Sequence, residues 1–272
     1  MPDQRVVLIT GASSGVGQSA ARLLAEHGYK VFGSSRNPAV AIAIPRVEIV
    51  PLDVRADDSV RACVEDVARR SGHIDVLINN AGYELAGALE ELSIDEARMQ
   101  FETNFFGVVR MVNMVLPIMR RQNRGQIINV SSLAGLSSIP FMGIYSASKF
   151  ALEGYTEALR HEVQPFNIHV SMAEPAFLKT AMVEHRQIGA GRVIEYEAWR
   201  ERALRAIRTH EERGPGPELV AETLLEIISS RAPRLRYLVG RQAKFVAGLR
   251  RILPAALFER GVRRTFSLDE DR

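Results

Sequence analysis

The sequence predicts an α/β protein: one doubly wound parallel sheet with helices on both faces. Three observations carry that expectation. Short runs rich in β-branched residues alternate with stretches of helical periodicity along most of the chain. The runs are almost continuously apolar, as in Val76-Leu77-Ile78, the pattern of strands covered on both faces. The first run leads at once into a glycine-rich turn and then a helical pattern, the local order of a nucleotide-binding strand-turn-helix.

Taken in order, strands are expected at residues 6–10, 30–35, 47–51, 74–79, 125–131, 168–173 and 236–239. Helices are expected near 15–28, 57–71, 93–121, 145–164 and 216–230. Gly214-Pro215-Gly216-Pro217 reads as a turn that enters the last of these, with Pro217 near its first turn. Residues 178–213 break the alternation: they are charged, Arg-rich and helical in pattern, and no strand follows directly. A long excursion just after a strand is expected to form a helical lid or pocket wall. No repeat, low-complexity tract or linker divides the 272 residues, so residues 1–272 are expected to form a single domain.

Composition narrows the class. The chain is 46% hydrophobic and 25% charged, the balance of a soluble protein with a sizeable core. Its one cysteine, Cys63, excludes an internal disulfide framework. The apolar run at residues 6–9 is too short for a secretory signal and no stretch reaches the length of a membrane span, so a cytoplasmic location is expected. The net charge of +3 is unevenly spread: residues 231–264 carry nine Arg and one Lys against the single acid Glu259, or +9, and residues 1–230 sum to −4. The basic charge is thus confined to the C-terminal segment and makes no nucleic-acid stripe. Within that segment Phe245, Val246, Leu249, Ile252 and Leu253 recur at helical spacing, among Arg241, Lys244, Arg250 and Arg251. Such a face is expected to pack on the domain or close a pocket; attachment to a membrane surface is the competing reading.

The chemistry starts in the first turn, Thr10-Gly11-Ala12-Ser13-Ser14-Gly15-Val16-Gly17. Gly11, Gly15 and Gly17 let the backbone turn tightly and approach a phosphate, while the helix that opens at Gly15 offers free N–H groups to a pyrophosphate. Ser13, Ser14 and Val16 fall within the same loop. The second strand ends in Ser35-Arg36, where an NAD site usually carries an acid for the ribose 2′-hydroxyl. A cation there suits a 2′-phosphate, so the expected cofactor is NADP(H). Asp53 and Val54 close the third strand; the aspartate can bond an adenine amino group or simply begin a turn.

Tyr145 and Lys149 stand four residues apart, on one face of a helix. A phenol has an ordinary pKa near ~10 and is a poor acid-base group at neutral pH unless a nearby cation favours the phenolate. Ser132, 13 residues before Tyr145, ends a strand at the sheet edge where ligands bind in open α/β folds. Ser131 is its rival; the spacing to Tyr145 favours Ser132. Leu136, Ile139, Phe141, Met142, Phe177 and Met182 flank these positions and line a pocket or fill a core. His161, His169, His185 and His210 lack metal-ligand spacing, so no metal site is expected.

Together, the glycine loop, Asn79-Asn80-Ala81-Gly82, Asn104, Ser132 and Tyr145-Ser146-Ala147-Ser148-Lys149 resemble, in order and spacing, the short-chain dehydrogenase/reductase family over residues 5 to about 180. The resemblance implies a Rossmann-like sheet of strand order 3-2-1-4-5-6-7. It implies Tyr145 as general acid/base, Ser132 as orienter of the substrate oxygen, Lys149 as the residue that lowers the tyrosine pKa and binds the nicotinamide ribose, and Asn104 as holder of a relay water. Asn80, Ala81 and Gly82 would wall the cofactor, and Thr180 would bond its carboxamide. The loop and Ser35-Arg36 are similar to the NADP(H)-preferring branch with 17β-hydroxysteroid and retinol dehydrogenases. One departure stands out: Pro175 is followed by Ala176 where the family often has glycine, and alanine lacks the positive-φ freedom glycine has there. The expected activity is hydride transfer between NADP(H) and a small apolar carbonyl or alcohol, a steroid-, retinoid- or lipid-like ketone or aldehyde, in a homodimer or homotetramer joined by helices 93–121 and 145–164. A catalytically silent NADPH sensor or a membrane-surface protein of the same fold is the competing reading, and the intact Ser132, Tyr145 and Lys149 argue against it.

Overall fold

The computed structural model describes residues 4–180 and 186–269. Seven parallel strands form the main sheet: β1 (Val6–Ile9), β2 (Lys30–Ser35), β3 (Val47–Pro51), β4 (Val76–Asn79), β6 (Gly125–Val130), β7 (Ile168–Pro175) and β9 (Arg236–Val239). Their spatial order is β3-β2-β1-β4-β6-β7-β9, which is 3-2-1-4-5-6-7 when only this sheet is counted. The fold is the expected Rossmann-like one, with the order reversing beside β1.

The period-2 geometry of a strand sorts β1 between two cores. Val6 and Leu8 point to one face, where α2 (Asp57–Ser71), α4 (Gly107–Gln122) and α5 (Gly143–Val163) cover them with Val60, Val64, Met111, Val115, Leu152 and Leu159. Val7 and Ile9 point to the other, against Ala20, Ala21 and Leu24 of α1 (Gly15–Glu26) and Val220, Leu224 and Ile227 of α7 (Glu218–Ser229). Burial on both sides is why the strands read as unbroken apolar runs.

Three departures from the sequence expectation matter for the site. The single helix expected over 93–121 is interrupted: α3 (Ile94–Phe101) passes through a π-helical segment, Glu102–Phe106, into α4. Such a segment inserts a residue and turns the side chains after it, a device frequent at functional sites. Residues 178–213 are not purely helical: β8 (Gln187–Ile188) pairs in parallel with β5 (Leu85–Ala86) before α6 (Glu197–Glu212) begins. The C-terminal apolar stripe is divided at Pro254 into α8 (Gly240–Ile252) and α9 (Ala255–Thr265), since proline cannot continue the ladder of α8.

Carboxylates fasten the segment after β7 to the body of the domain. Glu84 accepts from Arg186 Nη2 at 2.6 Å, and Arg186 also bonds Glu211 on α6. Glu91 accepts from the Val193 N–H at 3.0 Å and pairs with buried Arg200. Glu96, which caps α3 by bonding the Ser93 N–H at 2.8 Å, also accepts from the Ala190 N–H at 2.9 Å. Glu91 and Glu211 are buried, and buried acids are tolerated when each has a fixed cationic or N–H partner.

The glycine turn is held by contact rather than by charge. A Cβ on Gly17 would lie 2.2 Å from the Gly11 carbonyl oxygen and 2.5 Å from Asn80 Nδ2. Gly17→Ala should therefore cost about 1–3 kcal/mol, as overpacking against backbone does, and loosen the turn. A lowered thermal midpoint together with weakened dinucleotide binding is the expected result; a variant matching the parent in both measurements overturns this account.

Candidate active site

β1, β4 and β6 end at one edge of the sheet, and the expected site residues collect there around a cavity of ≈1110 Å³. That exceeds the usual range of roughly 300–1,000 Å³ for one small ligand, which leaves room for a dinucleotide and a substrate together.

At one end lies the glycine loop. Gly11 has φ +68° and Gly15 φ +54°, conformations that other residues adopt only with strain. Thr10 Oγ1 accepts from the Asn80 and Ala81 N–H groups at 2.9 and 3.0 Å, and Asn80 Nδ2 donates to the carbonyls of Thr10 and Gly11, each at 3.0 Å. These bonds lock the loop to the end of β4. Ser14 sits at the N-cap of α1 with an extended backbone, yet its side chain makes no capping bond. The first N–H groups of α1 therefore keep no side-chain partner and face the cavity with Gly11, Ser13, Ser14, Gly15 and Val16. A cradle of free N–H groups without a competing carboxylate fits a pyrophosphate. Gly17 is buried behind the loop and reaches it only through its contact with Gly11 and Asn80.

Ser35, Arg36, Asp53 and Val54 line the same end. Asp53 is clamped by a residue that sequence reading passed over: Arg55 donates to it through Nε at 2.9 Å and Nη2 at 2.6 Å, and this bond holds the Asp53 carboxyl below its ordinary range. Asp53 Oδ1 also accepts from the Arg55 N–H at 3.0 Å, so its turn-forming role is the one on display. Arg36 is exposed and makes no hydrogen bond or ion pair among the described residues. A signal for Arg55 was present: each of the two strand ends at this edge is followed within a few residues by an arginine.

The other cluster is built on α5 and the end of β6. Tyr145 and Lys149 are both buried, one turn apart, with Nζ 5.9 Å from the phenol ring centroid. Lys149 Nζ donates to the Val130 carbonyl at 2.9 Å. Burial pulls the lysine down to about 8, although the charges of Glu153 and Glu84 oppose this. Burial likewise pushes the Tyr145 phenol well above its ordinary value; the charge of Glu84 adds to the rise, while a hydrogen bond with Ser132 works against it.

The two serines have different partners. Ser131 borders the cavity, but it is buried and its hydroxyl donates to Glu153, which is itself bonded to Arg236. Ser132 faces the cavity and bonds Tyr145. Its Oγ accepts from the Ala134 N–H at 3.0 Å and donates to the Pro175 carbonyl at 3.5 Å, which ties it to the end of β7. Asn104 is turned inward by the π segment: Nδ2 donates to the Tyr83 carbonyl at 3.0 Å and Oδ1 accepts from the Tyr83 N–H at 3.1 Å. Ala81, Gly82, Pro175, Ala176 and Thr180 complete the wall.

Of the apolar candidates, Ile139, Met142 and Phe177 line the cavity. Leu136 and Phe141 do not: Phe141 instead joins a small core around Tyr145, where its carbonyl accepts from the Gly87 N–H at 2.8 Å. Met182 and His185 lie outside the described residues. His210 stacks on Phe177 at 5.3 Å, and no group of His, Cys, Asp or Glu among the described residues is arranged to hold a metal. The C-terminal apolar face closes the far end of the cavity, one of the roles expected for it: Gln242, Val246 and Leu249 of α8 and Leu253 just after it line that end with Phe258 and Val262 of α9.

A parallel sheet with a phosphate cradle at one end of its edge and a buried Tyr-Lys pair at the other defines an oxidoreductase of the dinucleotide-binding α/β class. Comparison with known proteins names the family. The family model described as short chain dehydrogenase matches residues 5–189, and the chain belongs to that family. It is 43% identical over 238 residues to 3-ketodihydrosphingosine reductase from Bacteroides thetaiotaomicron, covering 87% of this chain and 88% of the relative. It is 36% identical to human retinol dehydrogenase 8, covering 85% of this chain and 80% of that one. The crystal structure of a short-chain dehydrogenase from Streptomyces avermitilis superposes with a TM-score of 0.82 at 32% identity, covering 99% of this chain and 100% of that one.

The buried amine gives a test that needs no substrate. An unfolded lysine titrates near 10.5 and this one near 8, so between those values the unfolded chain binds more protons and stability rises with pH. From pH 8 to pH 10 the cofactor-free protein should gain about 2 kcal/mol relative to its Lys149→Met variant. Chemical unfolding at stepped pH measures it, and parallel pH profiles for the two proteins would contradict a depressed lysine.

Proposed function

We propose that the protein is an NADP(H)-dependent oxidoreductase that interconverts a carbonyl and an alcohol on an apolar substrate. The observation that carries the reading is the Ser132–Tyr145–Lys149 cluster, buried at the sheet edge between a phosphate cradle and an apolar chamber. When bound, the nicotinamide supplies the hydride for reduction and accepts it in the reverse direction.

The residues of the chain handle the proton. Burial keeps the Tyr145 phenol protonated at neutral pH, the form that donates to a substrate oxygen as a carbonyl becomes an alcohol. Ser132, already bonded to that phenol, is placed to hold the same oxygen and steady the charge that develops on it. Lys149 retains enough basicity to be mostly cationic at neutral pH, and its charge stabilises the phenolate left after proton donation. Asn104 fixes the Tyr83 loop with both of its side-chain atoms; a relay water would use the second lone pair of its Oδ1.

NADP(H) rather than NAD(H) is favoured by charge. Asp53 is neutralised by Arg55, so Arg36 remains the unpaired cation at the adenosine end, and an unpaired guanidinium matches a 2′-phosphate. Residues 178–213 act as the lid, pinned by Glu84, Glu91 and Glu96, and the walls from Ile139, Met142, Phe177, α8 and α9 select a long or polycyclic apolar substrate, in keeping with a ketosphingoid and a retinoid as the substrates named in the relatives. Phe106 and Phe150 stay exposed on the π segment before α4 and on α5, in keeping with a second copy joining there.

Turnover of long-chain and polycyclic ketones and alcohols with both cofactors is the direct test. Tyr145→Phe should fold and bind NADPH normally and lose about 10²–10⁴-fold in turnover, because only the proton donor is removed. A Phe variant as fast as the parent would end this mechanism.

Arg36→Ala should weaken NADPH by roughly ten- to a hundredfold and NADH little, since one hydrogen bond to a charged group is worth about 1.5–3 kcal/mol. Equal use of the two cofactors by the parent enzyme, measured as kcat/KM, removes the assignment of Arg36 and leaves Tyr145 untouched. Alcohol oxidation should climb with pH and ketone reduction fall in the alkaline range, because oxidation needs the phenolate and reduction the phenol; coincident profiles in the two directions would count against Tyr145 as the group that titrates.

A further inference from the structure

α8 presents two different stripes. Gln242, Val246, Leu249 and Leu253 recur at helical spacing and line the cavity. A second stripe, Arg241, Phe245, Gly248 and Ile252 with Lys244 beside it, is exposed. Among the described residues of α8 only Ala243 is buried, and of α9 none. Phe245 is 66% exposed, Ile252 74% and Leu257 50%, so large apolar groups stand in solvent among cations. Between Gly240 and Thr265 there are seven Arg or Lys side chains and one acid, Glu259. Arg263 bonds Asp269 at 3.6 Å; Arg241, Lys244, Arg251, Arg260 and Arg264 have no ion pair among the described residues.

We propose that the outer face of α8 together with α9 is a docking surface for an anionic lipid bilayer. Three observations select that occupant. Apart from Arg263, the cations have no acid among the described residues to neutralise them, which calls for a negatively charged partner. A second copy of this chain set face to face would bring arginine against arginine, so self-association through this face is opposed by its own charge. Phe245 and Leu257 both line the cavity and stand half-exposed or more, so they mark where the apolar chamber opens to the outside. An opening rimmed by apolar side chains and ringed by arginines matches the boundary of a bilayer, with hydrocarbon inside and anionic headgroups around it. A helix pair docked this way buries its apolar groups at the headgroup boundary and puts the chamber mouth against the acyl chains. Passage of a substrate from the bilayer into the chamber rests on the apolar substrate proposed above; the docking itself does not.

The test is sedimentation with vesicles, without substrate or turnover. The parent protein is mixed at low salt with vesicles of phosphatidylcholine alone or of phosphatidylcholine with phosphatidylglycerol. It should sediment with the anionic vesicles only, and be released by high salt, because the attraction is screened within about 8 Å at physiological ionic strength. Lys244→Glu/Arg251→Glu should reduce the partition coefficient at least about tenfold. Ile252→Asp should also reduce it, through lost insertion. None of the three residues lines the cavity, so NADPH binding and thermal midpoint should match the parent in both variants. Absence of the parent from the anionic pellet, equal binding to both vesicle types, or undiminished binding by the charge-reversed variant overturns the proposal. So does a parent whose oligomeric state, rather than its vesicle binding, changes with these substitutions.

Discussion

The bond from Lys149 Nζ to the Val130 carbonyl is the constraint on which the site turns. It takes an amine that water would keep fully charged, buries it, and fixes it to the last residue of a central strand. Because Val130 ends β6, the bond sets α5 against the carboxyl edge of the sheet, and the helical repeat then places Tyr145 one turn away over the same edge. Ser132 emerges two residues beyond Val130, so the serine and the phenol meet without any long-range adjustment. Behind the lysine, Glu153 one turn further along α5 takes the Ser131 hydroxyl and the Arg236 guanidinium, and Arg236 also bonds Glu174, buried on β7. Burial and the neighbouring charge of Glu153 raise Glu174 well above the ordinary carboxylate range, since it shares the Arg236 cation with Glu153 and Glu157. That network joins α5, β7 and β9 and leaves the lysine little freedom.

The cavity divides its tasks by charge. At the end with the glycine loop, backbone N–H groups and arginines line the cavity, and Asp53 is already paired with Arg55. At the other end most of the walls are apolar, and the acids that line it have partners: Glu84 bonds Arg186, Asp95 bonds Arg98, and Glu96 accepts from the Ser93 N–H. Glu211 is raised to about 7, chiefly by burial, so one acid in the fastening of α6 to the loop after β4 has a protonation close to balance at neutral pH.

Much of this was legible in the chain as written. The glycine loop, the Tyr145–Lys149 spacing and the apolar strands each obey a local rule: a turn needs φ freedom, a helix repeats every 3.6 residues, and a doubly covered strand has no polar side. Those rules act over a few residues and survive being read one at a time. The interruption of α3 and α4 was not legible, since residues 93–121 keep a helical pattern throughout and a π segment has no composition of its own. The short pair β5 and β8 was missed because two residues carry no period.

The sequence by itself therefore determined the fold, its strand order through the family resemblance, and the identity of the groups gathered at the sheet edge. Only the tertiary structure distinguished the partners of the two serines: Ser131 bonds Glu153 of α5, which holds Arg236 of β9, while Ser132 bonds Tyr145. It alone showed that Arg55 neutralises Asp53 and that Arg36 is the cation left over. It alone split the C-terminal apolar pattern into one stripe that walls the chamber and another that faces outward. In each case the deciding quantity is a distance between residues far apart in the chain, and spacing along a sequence carries no record of that.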